Sequence, residues 1–341
     1  MKTMVCDYDR EKNMSITYEG GGFKYEFIAD FAKNLPASDF YASCAGGFCD
    51  KDDNVYMMVR GVPNVLIKLD PDGNYVKDQC FGGKIVVCHF GTATPDETYL
   101  IADAAMHCVR EIDENEQVLL ELGNRGRASD SGFDGKYYEK QRRLGNIYPP
   151  EPYVRIPGLT ALCEAELHTI KRCAGPFNRP TDVAMASNGD IYVSDGYGNC
   201  AVHRFSRDGK LLKTWGGPGD EPGKFLNVHT IAVDAKDQIW ACDRDQNAIH
   251  VFDSEGNILA YCKGNLGQPS GIVADKDYIY CIGRGGYLTI FNPEFDVVAQ
   301  LGYFNSELRA HGIAVNSKGD IFLFPTTATE DHQCICLKRI K

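Results

Sequence analysis

The chain has 341 residues, 43% of them hydrophobic and 24% charged, with 36 basic against 47 acidic side chains and a formal net charge of −11. That balance argues against non-specific binding to nucleic acid or to an anionic membrane surface, while the length and apolar content suffice for a large core. Residues 1–10 carry no apolar run of signal-peptide length and no segment approaches a membrane span, so a cytoplasmic protein is expected, with no nucleic-acid or membrane partner.

In chain order, residues 14–33 come first and alternate apolar and polar like a strand. Blade-like units follow, each made of four short alternating runs separated by Asx/Gly turns such as Asp70-Pro71-Asp72-Gly73; the runs are too short for helices. Blade one covers residues 40–82 and blade two residues 85–124. The rhythm then breaks across residues 125–174, which are polar, rich in Gly and Arg, and contain Pro149-Pro150-Glu151-Pro152 with a short helix expected over 162–171. Blades three and four are consecutive copies of one unit over 177–264, and blades five and six cover 266–302 and 309–340.

A four-stranded unit recurring every 40-odd residues marks a propeller blade. The expected fold is therefore all-β: a single six-bladed β-propeller over residues 1–341, with an insertion of about 50 residues (125–174) as a candidate lid over the channel mouth. Residues 14–33 are assigned to the last blade, because a ring that borrows its final strand from the other terminus leaves no free sheet edge. The 14 cysteines include no CxxC pair, and Cys88, Cys242 and Cys281 fall at strand positions. They read as reduced, buried small hydrophobes of a reducing cytosol.

Aligned on the turn before the first strand, one repeat position holds His89, Thr181, His229, Ser270 and His311 in blades two to six, with Ala45 or Gly46 in blade one. Histidine thus occupies every second blade. A lone histidine after a turn is ordinarily a satisfied polar residue, but three of the eight at one position in alternate blades converge on the channel axis. Such a set forms an open-sided site suited to zinc or another divalent transition metal. The other histidines (His107, His168, His203, His250 and His332) read as surface or supporting residues.

The loop leaving the second strand carries Arg60, Asp103, Asp195-Gly196-Tyr197, Asp243-Arg244 and Gly283-Arg284 in successive blades. Each alone would be a surface ion pair. Around the histidines, the arginines offer planar forks for a carboxylate and the tyrosine a proton carrier.

At these residues the chain resembles the NHL-repeat propellers, and within them the catalytic domain of peptidyl-α-hydroxyglycine α-amidating lyase. The likeness covers residues 50–325 apart from the insertion. It is strongest in Arg179-Pro180-Thr181-Asp182-Val183-Ala184, Val193-Ser194-Asp195-Gly196-Tyr197-Gly198-Asn199 and Ala241-Cys242-Asp243-Arg244-Asp245-Gln246-Asn247. The resemblance implies zinc held by His89, His229 and His311, a catalytic Tyr197, and Arg60 and Arg244 as catalytic and substrate-binding residues. It also implies cleavage of a carbinolamide, R-CO-NH-CH(OH)-COO⁻, to a primary amide and glyoxylate.

The family has an aspartate after its third zinc histidine, and here that position is Gly312. The change argues against a structural calcium and moves the base elsewhere, to Asp182, Asp103, Glu164 or Glu166, with Asp182 also a substrate-binding candidate. No mono-oxygenase partner domain accompanies the propeller, so a small carboxylate-bearing hydroxy substrate is expected rather than a peptide hormone. Two other functions are consistent with the fold. One is a hydrolase or lactonase using a metal-bound hydroxide, which three histidines weigh against. The other is a non-enzymatic NHL scaffold for a protein partner.

Overall fold

The computed structural model describes residues 16–36, 43–60, 65–81, 83–136, 166–326 and 334–341. Among them six antiparallel sheets are arranged as blades: five are four-stranded and follow chain order, and the sixth is five-stranded. The innermost strands Ser43–Cys49, Cys88–Ala93, Asp182–Met185, Val228–Val233, Pro269–Ala274 and Gly312–Val315 each touch the next, and the last touches the first, which closes the ring.

The second strand of each blade is packed on both faces, and its sequence shows it. Tyr99–Asp103, Ile191–Asp195, Ile239–Asp243 and Ile279–Gly283 are buried throughout, whereas the outer strand Leu211–Gly216 is exposed or half-buried along its whole length. The apolar core lies between blades rather than within one. Leu100 and Val109 of blade two, for example, share a cluster with Phe177, Val183 and Val193 of blade three. Hairpin turns are tied by Asx side chains: Asp70 Oδ1 accepts from Asp72 N and Asn74 N, and Asp253 Oδ1 from Glu255 N and Asn257 N.

The closure differs from the expectation in one respect. The last blade borrows a hairpin rather than a single strand: Phe23–Ile28 pairs with Ile335–Arg339, and Ile16–Gly20 pairs outside it. The connecting turn needs glycine, since Gly21 has φ +59° and a Cβ there would stand 2.1 Å from the Val298 carbonyl oxygen.

The blade-two-to-blade-three insertion is described at both ends. Its two ends meet where Thr169 Oγ1 accepts from Asp134 N at 2.7 Å, and Leu167 and Ile170 bury themselves against blades three and four. Of the expected helix, the described residues show a helical start at 166–167 and a turn at 168–169. Leu162, Glu164, Pro149-Pro150-Glu151-Pro152, His332 and residues 14–15 lie outside the described residues. The described cysteines are all free; eight are buried, but Cys80 is exposed on an outer strand, against the expectation of burial. Among the described residues no helix is long and apolar enough to cross a membrane.

Candidate metal and anion-binding site

His89, His229 and His311 meet on the propeller axis. Their ligand atoms lie within 4.8 Å of one another, and the ring centroids are 4.9, 5.1 and 4.8 Å apart. Each ring is aimed by the neighbouring blade at the same repeat position. Nδ1 of His89 bonds the Thr181 carbonyl at 2.6 Å, that of His229 the Ser270 carbonyl at 2.8 Å, and that of His311 the Ala45 carbonyl at 2.6 Å. A carbonyl only accepts, so each Nδ1 carries the proton and each Nε2 keeps its lone pair.

Burial holds all three imidazoles neutral by pushing their pKa values well below the usual histidine range. The Arg60 guanidinium adds to this at His89 and His311, and Arg244 at His229. Three buried, neutral imidazoles, each oriented by a backbone carbonyl, are the donor set of a divalent transition metal.

Above the histidines opens a cavity of about 310 Å³. The Tyr197 hydroxyl stands at its base, 2.8 Å from His89 Nε2 and 3.0 Å from His229 Nε2. Arg60 lines the cavity and is held by Nε donating to the Cys88 carbonyl at 3.0 Å. Arg244, buried, lies 5.7 Å over the Tyr197 ring and pairs with Asp245 at 3.4 Å. The structure therefore brings His311, Tyr197, Arg60 and Arg244 around one space, with His89 and His229 behind the Tyr197 hydroxyl that bonds both. Glu166 lines it too, its carboxyl raised by desolvation while Arg179 opposes the shift.

Two of the proposed bases lie elsewhere. Asp182 follows the repeat position by one residue, and that step along the strand carries it past the histidine layer into the opposite half of the channel, which residues 182–185 line. There its carboxylate accepts from Thr230 Oγ1 (2.6 Å), Ile231 N (3.1 Å) and Val183 N (2.8 Å), with burial pushing it up to about 7. It does not line the arginine cavity, so its assignment to substrate binding is corrected. Asp103 is a brace: it accepts from the backbone of Val86, Val87, Ala105 and Met106. Asp195 and Asp243 serve the same purpose in blades three and four.

Phe90 closes the other side of the histidine layer. Its ring stacks on His311 at 5.0 Å and lies 5.6 Å from His229. Gly312 is what makes room for it: a Cβ there would stand 2.9 Å from Phe90 Cε1 and 2.6 Å from the Gly46 Cα.

Sequence reasoning also missed several cavity residues. Arg179, Phe133 and Asn227 line it. Asn227 is fully buried; its Nδ2 donates to Asp245 Oδ2 at 2.6 Å, and among the described residues its Oδ1 has no partner. Arg179 stood in plain view inside the strongest motif, but its direction depends on a left-handed backbone (φ 65°) that the motif does not announce.

Fold and site together define the class: a six-bladed NHL-type β-propeller with a three-histidine centre on its axis. The NHL repeat model matches residues 177–205. Over 173 residues the chain is 25% identical to peptidyl-alpha-hydroxyglycine alpha-amidating lyase 2 of Drosophila melanogaster, covering 46% of this chain and 41% of that protein. Over 134 residues it is 31% identical to the peptidylglycine alpha-amidating monooxygenase of Rattus norvegicus, covering 36% of this chain and 13% of that protein. It thus spans less than half the length of these curated relatives. Among solved structures, a Xanthomonas campestris gluconolactonase superposes with a TM-score of 0.59 at 11% identity, covering 98% of this chain and 96% of that one. A streptogramin B lyase gives 0.56 at 11% identity, covering 92% and 98%. At such identities these two show the fold alone. The chain is a six-bladed propeller that carries a match to the NHL repeat and resembles the amidating lyases, and its relatives and neighbours are mostly enzymes.

Proposed function

We propose that the protein is a metal-dependent lyase that breaks the C–N bond of a small carbinolamide bearing a carboxylate. One observation carries this reading: three oriented Nε2 lone pairs lie beside a cavity that a tyrosine hydroxyl and arginine forks line. When bound at the histidines, zinc or a similar divalent ion acts as a Lewis acid that lowers the pKa of a substrate hydroxyl.

Arg60 and Arg244 hold the substrate carboxylate and offset its charge. The Tyr197 hydroxyl carries the proton from the substrate hydroxyl toward the departing nitrogen. The O–H pair becomes the second bond of the new aldehyde, and the C–N pair leaves with nitrogen and takes that proton. The products are R-CO-NH₂ and glyoxylate, with no other reactant. Asn227 Oδ1, buried and lining the cavity, accepts the substrate amide N–H. Glu166, an acidic residue of the cavity wall, is the candidate base in place of the family aspartate replaced by Gly312.

The test is elemental analysis of protein purified without a histidine tag, followed by incubation with α-hydroxyhippurate. About one transition-metal ion per chain and equal release of benzamide and glyoxylate are expected. A loaded protein that forms no glyoxylate but opens a lactone would be a hydrolase. A metal-free protein with neither activity would be a scaffold.

A further inference from the structure

The ligand histidines sit where the blade ladder is interrupted. In blades one, two, four and five the pairing between the first two strands slips at the repeat position, so that Ala45, His89, His229 and Ser270 fall within the slip. In blades three and six the first strand begins one residue later, at Asp182 and Gly312. A bulge re-aims its side chain and leaves the extra residue outside the ladder. The same feature that points an imidazole at the axis therefore removes the bonds that would fix its backbone.

Contacts between blades replace them. The carbonyls of Thr181, Ser270 and Ala45 take the Nδ1 protons of His89, His229 and His311. Two of these residues then act a second time, on the carbonyl that precedes the next histidine in the chain. Thr181 Oγ1 donates to the Val228 carbonyl at 2.9 Å, and Ser270 Oγ to the Ala310 carbonyl at 2.9 Å. Both residues are fully buried. Each hydroxyl has one proton, and its other carbonyl neighbour is the poorer acceptor. The Ser194 carbonyl stands 3.1 Å from Thr181 Oγ1 and already takes the Thr181 N–H, while the Ile282 carbonyl stands 3.3 Å from Ser270 Oγ. The Ser194 hydroxyl, 2.9 Å from Thr181 Oγ1, is left to donate to it. In blade one, Ala45 has no side-chain donor, and the carbonyl before His89, that of Cys88, is held by Arg60 Nε at 3.0 Å instead.

We propose that Thr181 and Ser270 are positioning residues for the metal centre. Each ties two ligand histidines at once, through its carbonyl to one imidazole and through its hydroxyl to the backbone of the next. This rests on the three-histidine metal reading and not on the lyase reaction. Neither residue lines the arginine cavity. Their hydroxyls act by limiting where the three Nε2 atoms can stand, and so how tightly and in what geometry the set holds an ion.

The experiment loads the whole chain with Co(II), a coloured stand-in for zinc. Affinity is read by competition with a chelator, and ligand geometry from the visible absorption. Thr181→Val keeps the branched shape and the carbonyl but deletes the hydroxyl, Thr181→Ser keeps the hydroxyl, and Ser270→Ala deletes the second one. Thr181→Val and Ser270→Ala are each expected to weaken cobalt binding about 10-fold or more and to shift its visible bands, with Thr181→Ser recovering most of both. Equal affinities and superimposable spectra in the unaltered protein and both deletions would overturn the proposal. So would a Thr181→Ser protein no better than Thr181→Val, since the loss would then be one of packing. If the valine variant does not fold, Ser270→Ala decides alone. An unaltered protein that takes up no cobalt overturns the metal reading and the ties together. Tight binding by the unaltered protein and weak binding by the deletions, without glyoxylate release from α-hydroxyhippurate, keeps the ties and sinks the lyase reaction.

Discussion

The two halves of the central channel, one on each side of the histidine layer, are built from the same six strands and differ in almost every property. The outer half is polar and cationic, with Tyr197 and the arginines facing a cavity of about 310 Å³. The inner half, about 230 Å³, is lined by strand backbone, Phe90 and Asp182. The contrast arises one residue along the first strand. The outer face takes long side chains from loops, while the position after each ligand residue holds Gly46, Phe90, Asp182, Thr230, Gly271 and Gly312. Phe90 fills the space that Gly46 and Gly312 leave. On the proposed lyase reading, substrate and proton carrier act from the arginine side, and the inner half would keep water off the imidazoles.

The largest test of this asymmetry removes its centre. His229→Ala should lose stoichiometric metal by elemental analysis and at least about 10³-fold in turnover, the several kcal/mol that a Lewis acid supplies. Retention of both would mean the histidines are not the site. Next comes Tyr197→Phe, which leaves the ring against Arg179 and Arg244 but deletes the hydroxyl beside both Nε2 atoms. A fall in kcat of about 10²–10⁴ with little change in KM is expected. An unchanged kcat would move proton transfer away from the outer half's tyrosine.

These residues were legible in the sequence because a repeat converts spacing into angle. Once the blades are aligned, His89, His229 and His311 share one position, and no contact need be known. What alignment could not supply is direction at a single residue. Asp182 sits beside Thr181 in a motif of the amidating-lyase type, yet one step along the strand takes it past the histidine layer to the other half of the channel. Asp103 read as a candidate base because it stands at the loop position that carries Asp195-Gly196-Tyr197 and Asp243-Arg244 in other blades, but the oxygens of all three aspartates accept from backbone N–H groups. Gly312 reads in sequence as a lost ligand; in the structure it is the partner of Phe90, a pairing between blades six and two that no local pattern reveals. Phe133 and Glu166 reach the cavity from an insertion with no period at all.

Phe90→Ala attacks the inner half directly. Losing a buried phenylalanine ring costs about 3–5 kcal/mol where the site cannot collapse, and the flanking strands of a closed ring have little room to move inward. A lower melting temperature and faster loss of metal to a chelator are expected, with Phe90→Leu intermediate in both. If the chelator acts equally fast on all three proteins, the ring does not shield the histidines.

The smallest effect is also the most specific, since it reads how dry the inner half is. Burial pushes the Asp182 carboxyl up to about 7 with no charged partner nearby, its three hydrogen bonds only partly opposing the shift. In the unfolded chain the group ionises near 3.9. Between those values the folded state binds more protons, so stability falls as pH rises from about 4 to about 7, on the order of 4 kcal/mol in all. Asp182→Asn removes that slope. It also leaves one backbone N–H, of Val183 or Ile231, without its acceptor, a loss of about 1–2 kcal/mol that does not depend on pH. The variant should therefore be the less stable protein at low pH and gain on the unaltered one steadily toward pH 8, while its turnover changes far less than that of Tyr197→Phe. Parallel melting curves across that range would mean the carboxylate is already ionised and solvated, and the two halves of the channel would then be alike in wetness after all.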